Sequence, residues 1–600
     1  MTEAAAAEPA ATRRDYWRAV LFGLVLAGVV LGAMNAHDIF IRRFADPDDT
    51  MRLLEVRDWL AGQSWWDVSQ HRLGAGTVFQ MHWSRLVDLP IAAVIGGLTP
   101  IIGAEPATTV ALFVVPLLTL FCTMALASAL TLRLSGPAQM RTAIVLAPIS
   151  GPILAQMQPG RIDHHGWQIV MALAAALALV THTRWRSGVA AGLALATLIT
   201  ISFEGLPFTM GTVAIAAIAW ALDPRRRGQA VAMIATLAGW ATVLQLATRG
   251  PGFWRPACDA VAPGWLAALI VAALAFAAIT ALPTRNRIAR LATLAVPGIA
   301  SGAVLLALEP DCILRGPFNM LDPFIRYWWF DNISEGLPVW RQPLNLVLMT
   351  FALPMIGIIG SALSLRRADS ERRPQWWMMI ALQGSAFALA LLVLRVGGTA
   401  NALAIPGAAA LVTMALERAR RIEPVLPRIA ATLGAFVLAA PSILYVTVMV
   451  LLPKHAAPGA AAAAATTRPA CKVTDDVGAL SQLPPARLFA PLDIGPELLM
   501  RTRHEAVASG YHRNNDRMHL VMATFMGSPE AARRAVAATG SSYVVGCPGF
   551  GETEIYAKVT PNGFWARLER GERFDWLQPV PIKGSPVLAW RVLPGAPTPR

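Results

Sequence analysis

The stretch ADPDDTMRLLEVRDWLAGQSWWDVSQHRLGAGTVFQMHWSRLVD, residues 45–88, decides how this chain is read. It follows the first long apolar segment. Asp46, Asp48 and Asp49 fall within four positions, followed by Arg52 and by Trp59, Trp65, Trp66 and Trp83. The chain has 600 residues, 55% of them hydrophobic and 15% charged. In so apolar a sequence an acidic knot next to a membrane-length segment needs a reason. One Asp is accounted for as a helix N-cap. Three together point to acid–base and metal-binding chemistry held at a membrane face.

The composition sets the class. Soluble domains carry roughly 25% charged residues, and a mean hydropathy of +0.50 belongs to a membrane protein. The net charge of +14 does not argue for nucleic acid, because the arginines stand in short clusters between apolar runs, as orientation charges do. The first apolar segment follows Arg13, Arg14 and Arg18 and reads as an anchor that is kept. About thirteen runs have the length of a span. They lie near 18–37, 107–131, 141–157, 166–182, 187–203, 207–222, 229–247, 264–282, 290–307, 344–364, 376–395, 399–416 and 427–452. The expected fold is an α-helical polytopic membrane protein with a C-terminal mixed α/β soluble domain.

The Arg clusters fall on one face if 89–103, interrupted by Pro90 and Pro100, is a helix lying on the surface rather than a span. That face is then cytoplasmic. Residues 1–17 form a cytoplasmic tail, 18–452 the membrane domain with long outer loops at 38–106 and 308–343, 453–470 an Ala-rich linker, and 471–600 a domain on the periplasmic face of a bacterial inner membrane. Cys258 and Cys312 fall in outer loops and Cys471 and Cys547 in the outer domain, whereas Cys122 lies inside a span. An oxidising compartment then predicts disulfides 258–312 and 471–547. In the last domain RLFAPLDIG and SSYVVGC read as strands, MHLVMATFMG and PEAARRAVAAT as helices.

Four acidic clusters share the outer side: Asp46/Asp48/Asp49; GRIDHHGWQ, 160–168; SFEGLPF, 202–208, with Glu204; and the loop 308–343, with Asp311, Asp322, Asp331 and Glu335. Carboxylates and an imidazole suit a hard divalent cation, Mg or Mn. The Asp-His-His run also fits loop histidines held by hydrogen bonds. Glu335 also fits a salt bridge to Arg341, and Glu204 an interface carboxylate held by a nearby donor. The tryptophans fit an interfacial belt. Arg161, Arg326 and Arg395 are candidates to grip a lipid phosphate; for Arg395, near the end of an apolar span, the simple alternative is snorkelling.

With these motifs placed, the chain resembles the catalytic subunit of the oligosaccharyltransferases, within the GT-C class of polyprenol-dependent glycosyltransferases. The resemblance covers nearly the whole length. DPDDTMR, 46–52, resembles the first-loop Asp motif, with Asp46 in one register and Asp48 and Asp49 in another. GRIDHHGWQ resembles the second acidic motif of archaeal members, which makes Asp163 and His165 metal ligands with Asp48. NISEGLP, 332–338, resembles the motif whose Glu touches metal or acceptor, here Glu335. The family's acceptor motif WWDYG is reduced to FAPLDIGPE, 489–497: Asp493 and Gly495 remain, the aromatics are gone. The resemblance implies transfer of a sugar or oligosaccharide from a polyprenyl-phosphate donor to a glycan, lipid or protein acceptor. Glu204 and Asp493 are the acceptor candidates. The alternatives are a protein N-oligosaccharyltransferase with an atypical acceptor pocket and, in another class, a lipid-linked sugar transporter.

Overall fold

The computed structural model describes residues 12–78, 80–284, 286–318, 321–440 and 471–593. Among them, nine helices are long and apolar enough to cross a membrane: Arg13–Ile41, Ala104–Leu134, Phe203–Leu222, Pro224–Gly252, Pro263–Ala281, Arg287–Leu308, Leu344–Arg367, Arg373–Leu392 and Leu394–Arg420. Shorter apolar helices occupy Asp88–Ile102, His165–Thr181, Trp185–Ile201 and Val425–Leu438. The protein is a multi-pass membrane protein. The expected linker 453–470, the end of the last expected span and most of the N-terminal tail lie outside the described residues.

One expected span is corrected. The segment 141–157 is not continuous but consists of two helices, Pro137–Ile149 and Gly151–Met157, that meet at an extended Ser150. Pro152 has no N–H to return to the Pro148 carbonyl, so the ladder fails at this point. The break is used. Ser150 Oγ donates to Asn401 Oδ1 at 3.1 Å, and Asn401 Nδ2 donates to the carbonyls of Thr350 and Gly397, each at 2.8 Å. Three segments are thereby tied at the start of the Leu394–Arg420 helix by a buried amide whose polar atoms all find partners, as burial demands. Further along, the same helix packs on Leu344–Arg367 through glycines. A Cβ on Gly360 would strike the Gly407 carbonyl, and one on Gly407 the Gly357 carbonyl. Only small residues let two membrane helices approach so closely.

The chain divides into two compact units. The first comprises residues 12–37, 84–317 and 333–440 and contains the apolar helices with their own core. Its Cys258–Cys312 disulfide forms as expected, with Cα atoms 5.1 Å apart.

The second unit comprises residues 38–78, 80–83, 318, 321–332 and 471–593. It is built on a five-stranded sheet of β1 (Arg487–Phe489), β2 (Glu505–Ala506), β3 (Tyr543–Gly546), β4 (Leu577–Val580) and β5 (Leu588–Val592). The order is β2-β1-β3-β5-β4, with β1 parallel to β2 and β3, and β5 antiparallel to β3 and β4. β1 and β3 are the two strands read from the sequence. The two helices read there lie at Asn515–Met526 and Pro529–Ala538. The Cys471–Cys547 disulfide joins the start of this domain to the residue after β3. The first loop is part of the same unit. Arg72 Nη2 donates to the Leu499 carbonyl at 2.7 Å, and the backbone of Arg72–Gly74 exchanges hydrogen bonds with Ala506.

Candidate functional site

In the first unit the second acidic motif folds into a tight centre. Gln158–Arg161 is a turn closed by the Arg161 N–H on the Gln158 carbonyl at 3.0 Å, with Pro159 and then Gly160 at φ 93°. That is a type II turn, which needs Gly at the third position. It delivers Asp163 and His164 immediately before the helix His165–Thr181. All three side chains are buried, and each offers a ligand atom within 4.8 Å of the others.

The donor set favours a cation. His164 Nδ1 lies 2.5 Å from Asp163 Oδ1. Gln168 Oε1 accepts the Nδ1–H of His165 at 2.9 Å, which turns the His165 Nε2 lone pair to Asp163 Oδ2, 3.4 Å away. Two lone pairs at that spacing call for a proton or a metal ion between them. A hydrogen-bonded partner on the far ring nitrogen is also the usual support of a metal-binding imidazole. Asp163, His164 and His165 therefore fit a divalent cation. Burial acts to lower the pKa of His164, but the Asp163 carboxylate and then Glu204 overcome it and raise the imidazole to about 9.

Three further side chains close around this centre. Glu204 stands in the turn Phe203–Gly205, Glu335 in Ser334–Gly336 and Arg395 in Leu394–Val396. The two outer nitrogens of Arg395 pair separately with Glu204 and Glu335. The other Glu204 oxygen lies 3.8 Å from His164 Nε2. The Leu394 N–H reaches the Leu337 carbonyl at 3.3 Å and fixes one turn to the other. Asp163, His164, His165, Glu204, Glu335 and Arg395 thus form one connected group. Glu335 pairs with Arg395 rather than with Arg341, and Glu204, read from the sequence as an acceptor residue, belongs with His164. The sequence reading passed over His164. Its signal was the doubled His of DHH, of which only the second matched the family motif.

Arg161, the second phosphate candidate, is buried, and its Nη2 donates to Gln156 Oε1 at 3.2 Å. The third, Arg326, is exposed in the second unit. It donates to the Phe318 carbonyl at 3.2 Å and stacks 5.8 Å from the Phe330 ring centre.

In the second unit Asp46 does cap a helix. Its side chain accepts the Asp48 N–H at 3.0 Å, and Pro47–Leu60 follows. Asp49 is buried in the first turn. One turn on, the buried Arg52 lies 4.5 Å from the Trp83 ring centre and 3.9 Å from Glu55. The Asp493 turn is clamped by Glu552, whose two oxygens accept the N–H groups of Leu492 and Asp493, each at 2.8 Å; Tyr556 donates to the same carboxyl group. Asp493 and the Trp329 indole flank Gly510, 3.7 and 3.3 Å from where its Cβ would stand.

A polytopic helical unit together with a second unit built on a small mixed sheet is similar in fold to solved GT-C membrane glycosyltransferases. The comparisons with solved structures give that fold. The archaeal oligosaccharyltransferase AglB from Archaeoglobus fulgidus, in complex with an inhibitory peptide and a dolichol-phosphate, superposes with a TM-score of 0.64 at 14% identity, over 95% of this chain and 73% of that one. An Archaeoglobus fulgidus oligosaccharyltransferase in complex with Zn and sulfate gives 0.55 at 13%, over 87% of this chain and 67% of that one. A mutant form of the arabinofuranosyltransferase AftD from Mycobacteria gives 0.50 at 13%, over 98% of this chain and 42% of that one. No family model matches the chain, and no curated protein matches it by sequence.

Proposed function

We propose that this chain is a polyprenol-dependent glycosyltransferase. It moves a sugar or oligosaccharide from a polyprenyl-phosphate donor to an acceptor on the outer face of the membrane, with inversion at the anomeric carbon. The observation that carries the reading is the buried Asp163–His164–His165 centre joined to Glu204, Glu335 and Arg395. It supplies metal ligands and a phosphate-binding cation together. The dolichol-phosphate in the AglB complex and the Zn and sulfate in the other Archaeoglobus fulgidus oligosaccharyltransferase complex support both halves. The two disulfides support an oxidising outer compartment for the loops and the tail domain.

The roles follow from the chemistry. Asp163, His165 and Glu335 would hold a divalent cation, Mg or Mn; the sequence motif alone adds a first-loop acid, with Asp48 preferred, as a candidate ligand. Bound there, such an ion neutralises charge developing on the leaving phosphate, usually the largest catalytic term. Arg395 grips the phosphate through its planar fork. Gln168 fixes the His165 ring with its Nε2 turned toward Asp163, where it would serve as a ligand. Asp48 and Asp49, with Asp46 as the other register of the motif, take the acceptor's proton, a step worth roughly 10²–10⁴-fold. These first-loop roles rest on the sequence motif. Asp493, held out by the Glu552 clamp beside Trp329, is the acceptor-side candidate. The loss of the family's aromatic motif around it favours a glycan or lipid acceptor over an Asn sequon.

The test is transfer of radiolabel from polyprenyl-phosphate sugars by the purified full chain to membranes of a strain lacking it, with and without EDTA. Transfer that EDTA abolishes and Mn restores is expected. Movement of label across vesicles without a new glycosidic bond would instead identify a transporter.

A further inference from the structure

We propose that Glu204 and Glu335 are internal stand-ins for the donor's phosphate: they hold the Arg395 guanidinium until an anionic headgroup displaces them. The inference rests on the functional reading above and deepens it.

Arg395 offers its two outer nitrogens to two carboxylates that come from turns 191 and 60 residues away in sequence. A guanidinium presents the same fork to phosphate oxygens as to carboxylates. The occupied fork is therefore already in the geometry a phosphate uses, and the two anions compete for it. The exchange is also easy. The side chains of Arg395, Glu204 and Glu335 keep 21%, 33% and 38% of their surface exposed. Partly exposed ion pairs are weaker than fully buried ones, and the carboxylates keep contact with water when a headgroup takes their place.

Release has a consequence at the cation centre. Glu204 also lies 3.8 Å from His164, so a carboxylate freed from Arg395 adds negative charge beside Asp163. Cation and phosphate then favour one another, and such coupling is reciprocal. A static clamp tying three turns together would show neither the competition nor the coupling.

The experiment measures binding of farnesyl phosphate to the full chain in detergent, with and without Mn, with thermal stability followed in parallel. Inorganic phosphate run alongside distinguishes the headgroup from its lipid. Glu204→Gln keeps the side chain's size and removes its charge. Without Mn it is expected to bind farnesyl phosphate about 1.5-fold to fivefold more tightly than wild type, the range set by losing one partly exposed ion pair. The gain in affinity that Mn confers should shrink by a similar factor. Arg395→Gln should lose phosphate binding under both conditions. Unchanged or weakened binding by a folded Glu204→Gln variant overturns the proposal. Should that variant not fold, Glu335→Gln, more exposed, carries the same expectation of tighter binding without Mn. If wild type itself binds no farnesyl phosphate with Mn present, the functional reading fails as well. If wild type binds and neither variant gains, only the stand-in role is lost.

Discussion

Asp163 is the side chain on which the proposed cation site turns, because it touches both histidines. Asp163→Asn is expected to lower Mn affinity by about 100-fold or more, since even outer-shell partners of metal ligands are worth 10–100-fold. Titration calorimetry measures this. In wild type, saturating Mn should also raise the melting temperature through preferential binding to the folded state, and Asp163→Asn should not show that rise. The raised pKa of His164 predicts the pH dependence. Its proton sits against Asp163 and competes with a cation, so apparent Mn affinity should fall about tenfold per unit as pH drops below about 9, with one proton released per ion bound. In the metal-free protein the sign is set by a folded pKa above the unfolded 6.5. The group stabilises the fold fully below pH 6.5, and that contribution is lost as pH rises through 9. A binding isotherm that is flat between pH 7 and 9 would rule this out. The three residues of GRIDHHGWQ were legible because they adjoin in sequence. The partners of Arg395 were not, because pairing of residues 191 and 60 positions apart is a property of helix packing.

Helices and turns carry these side chains to their places, and small residues decide how close they come. Gly407→Val, on the helix that follows the Arg395 turn, puts branched carbon against the Gly357 carbonyl. It is expected to destabilise the chain by about 1–3 kcal/mol or more by overpacking, read as a lower melting temperature in detergent. Loss of transfer should exceed what the lower stability explains, because the Arg395 turn shifts with that helix. Gly407→Ala should do the same more mildly. In the sheet-bearing unit, Glu552→Ala leaves the Leu492 and Asp493 N–H groups without their acceptor. Each stranded donor costs about 1–3 kcal/mol, so a loss of several kcal/mol is expected in denaturant unfolding of the full chain. No sequence pattern announced this clamp, since Glu552 lies 59 residues beyond the turn it holds. By contrast, the apolar runs announced the membrane helices directly. At 141–157 they misled, because hydropathy is continuous there and the proline-spaced backbone is not.

For the molecule as a whole, the disulfides are the sharpest global expectation. Cys471–Cys547 closes 76 residues, and loop entropy assigns such a bridge about 4 kcal/mol. Replacing both cysteines by Ala should therefore lower stability markedly, while Cys122→Ala should change little; non-reducing mass spectrometry of the wild type should find Cys122 as the free thiol. Composition and periodicity alone determined that this is a polytopic helical membrane protein with a mixed α/β tail, because burying apolar length and satisfying backbone groups in lipid are local demands that leave local patterns. The expected disulfide pairs are the two the structure shows. Tertiary structure alone decided that Asp163, both histidines, Glu204, Glu335 and Arg395 form one connected group, and that the first loop belongs to the sheet-bearing unit. Those facts depend on which distant turns end at the same point. That follows from how helices pack against one another, and a linear pattern of residue types does not encode it.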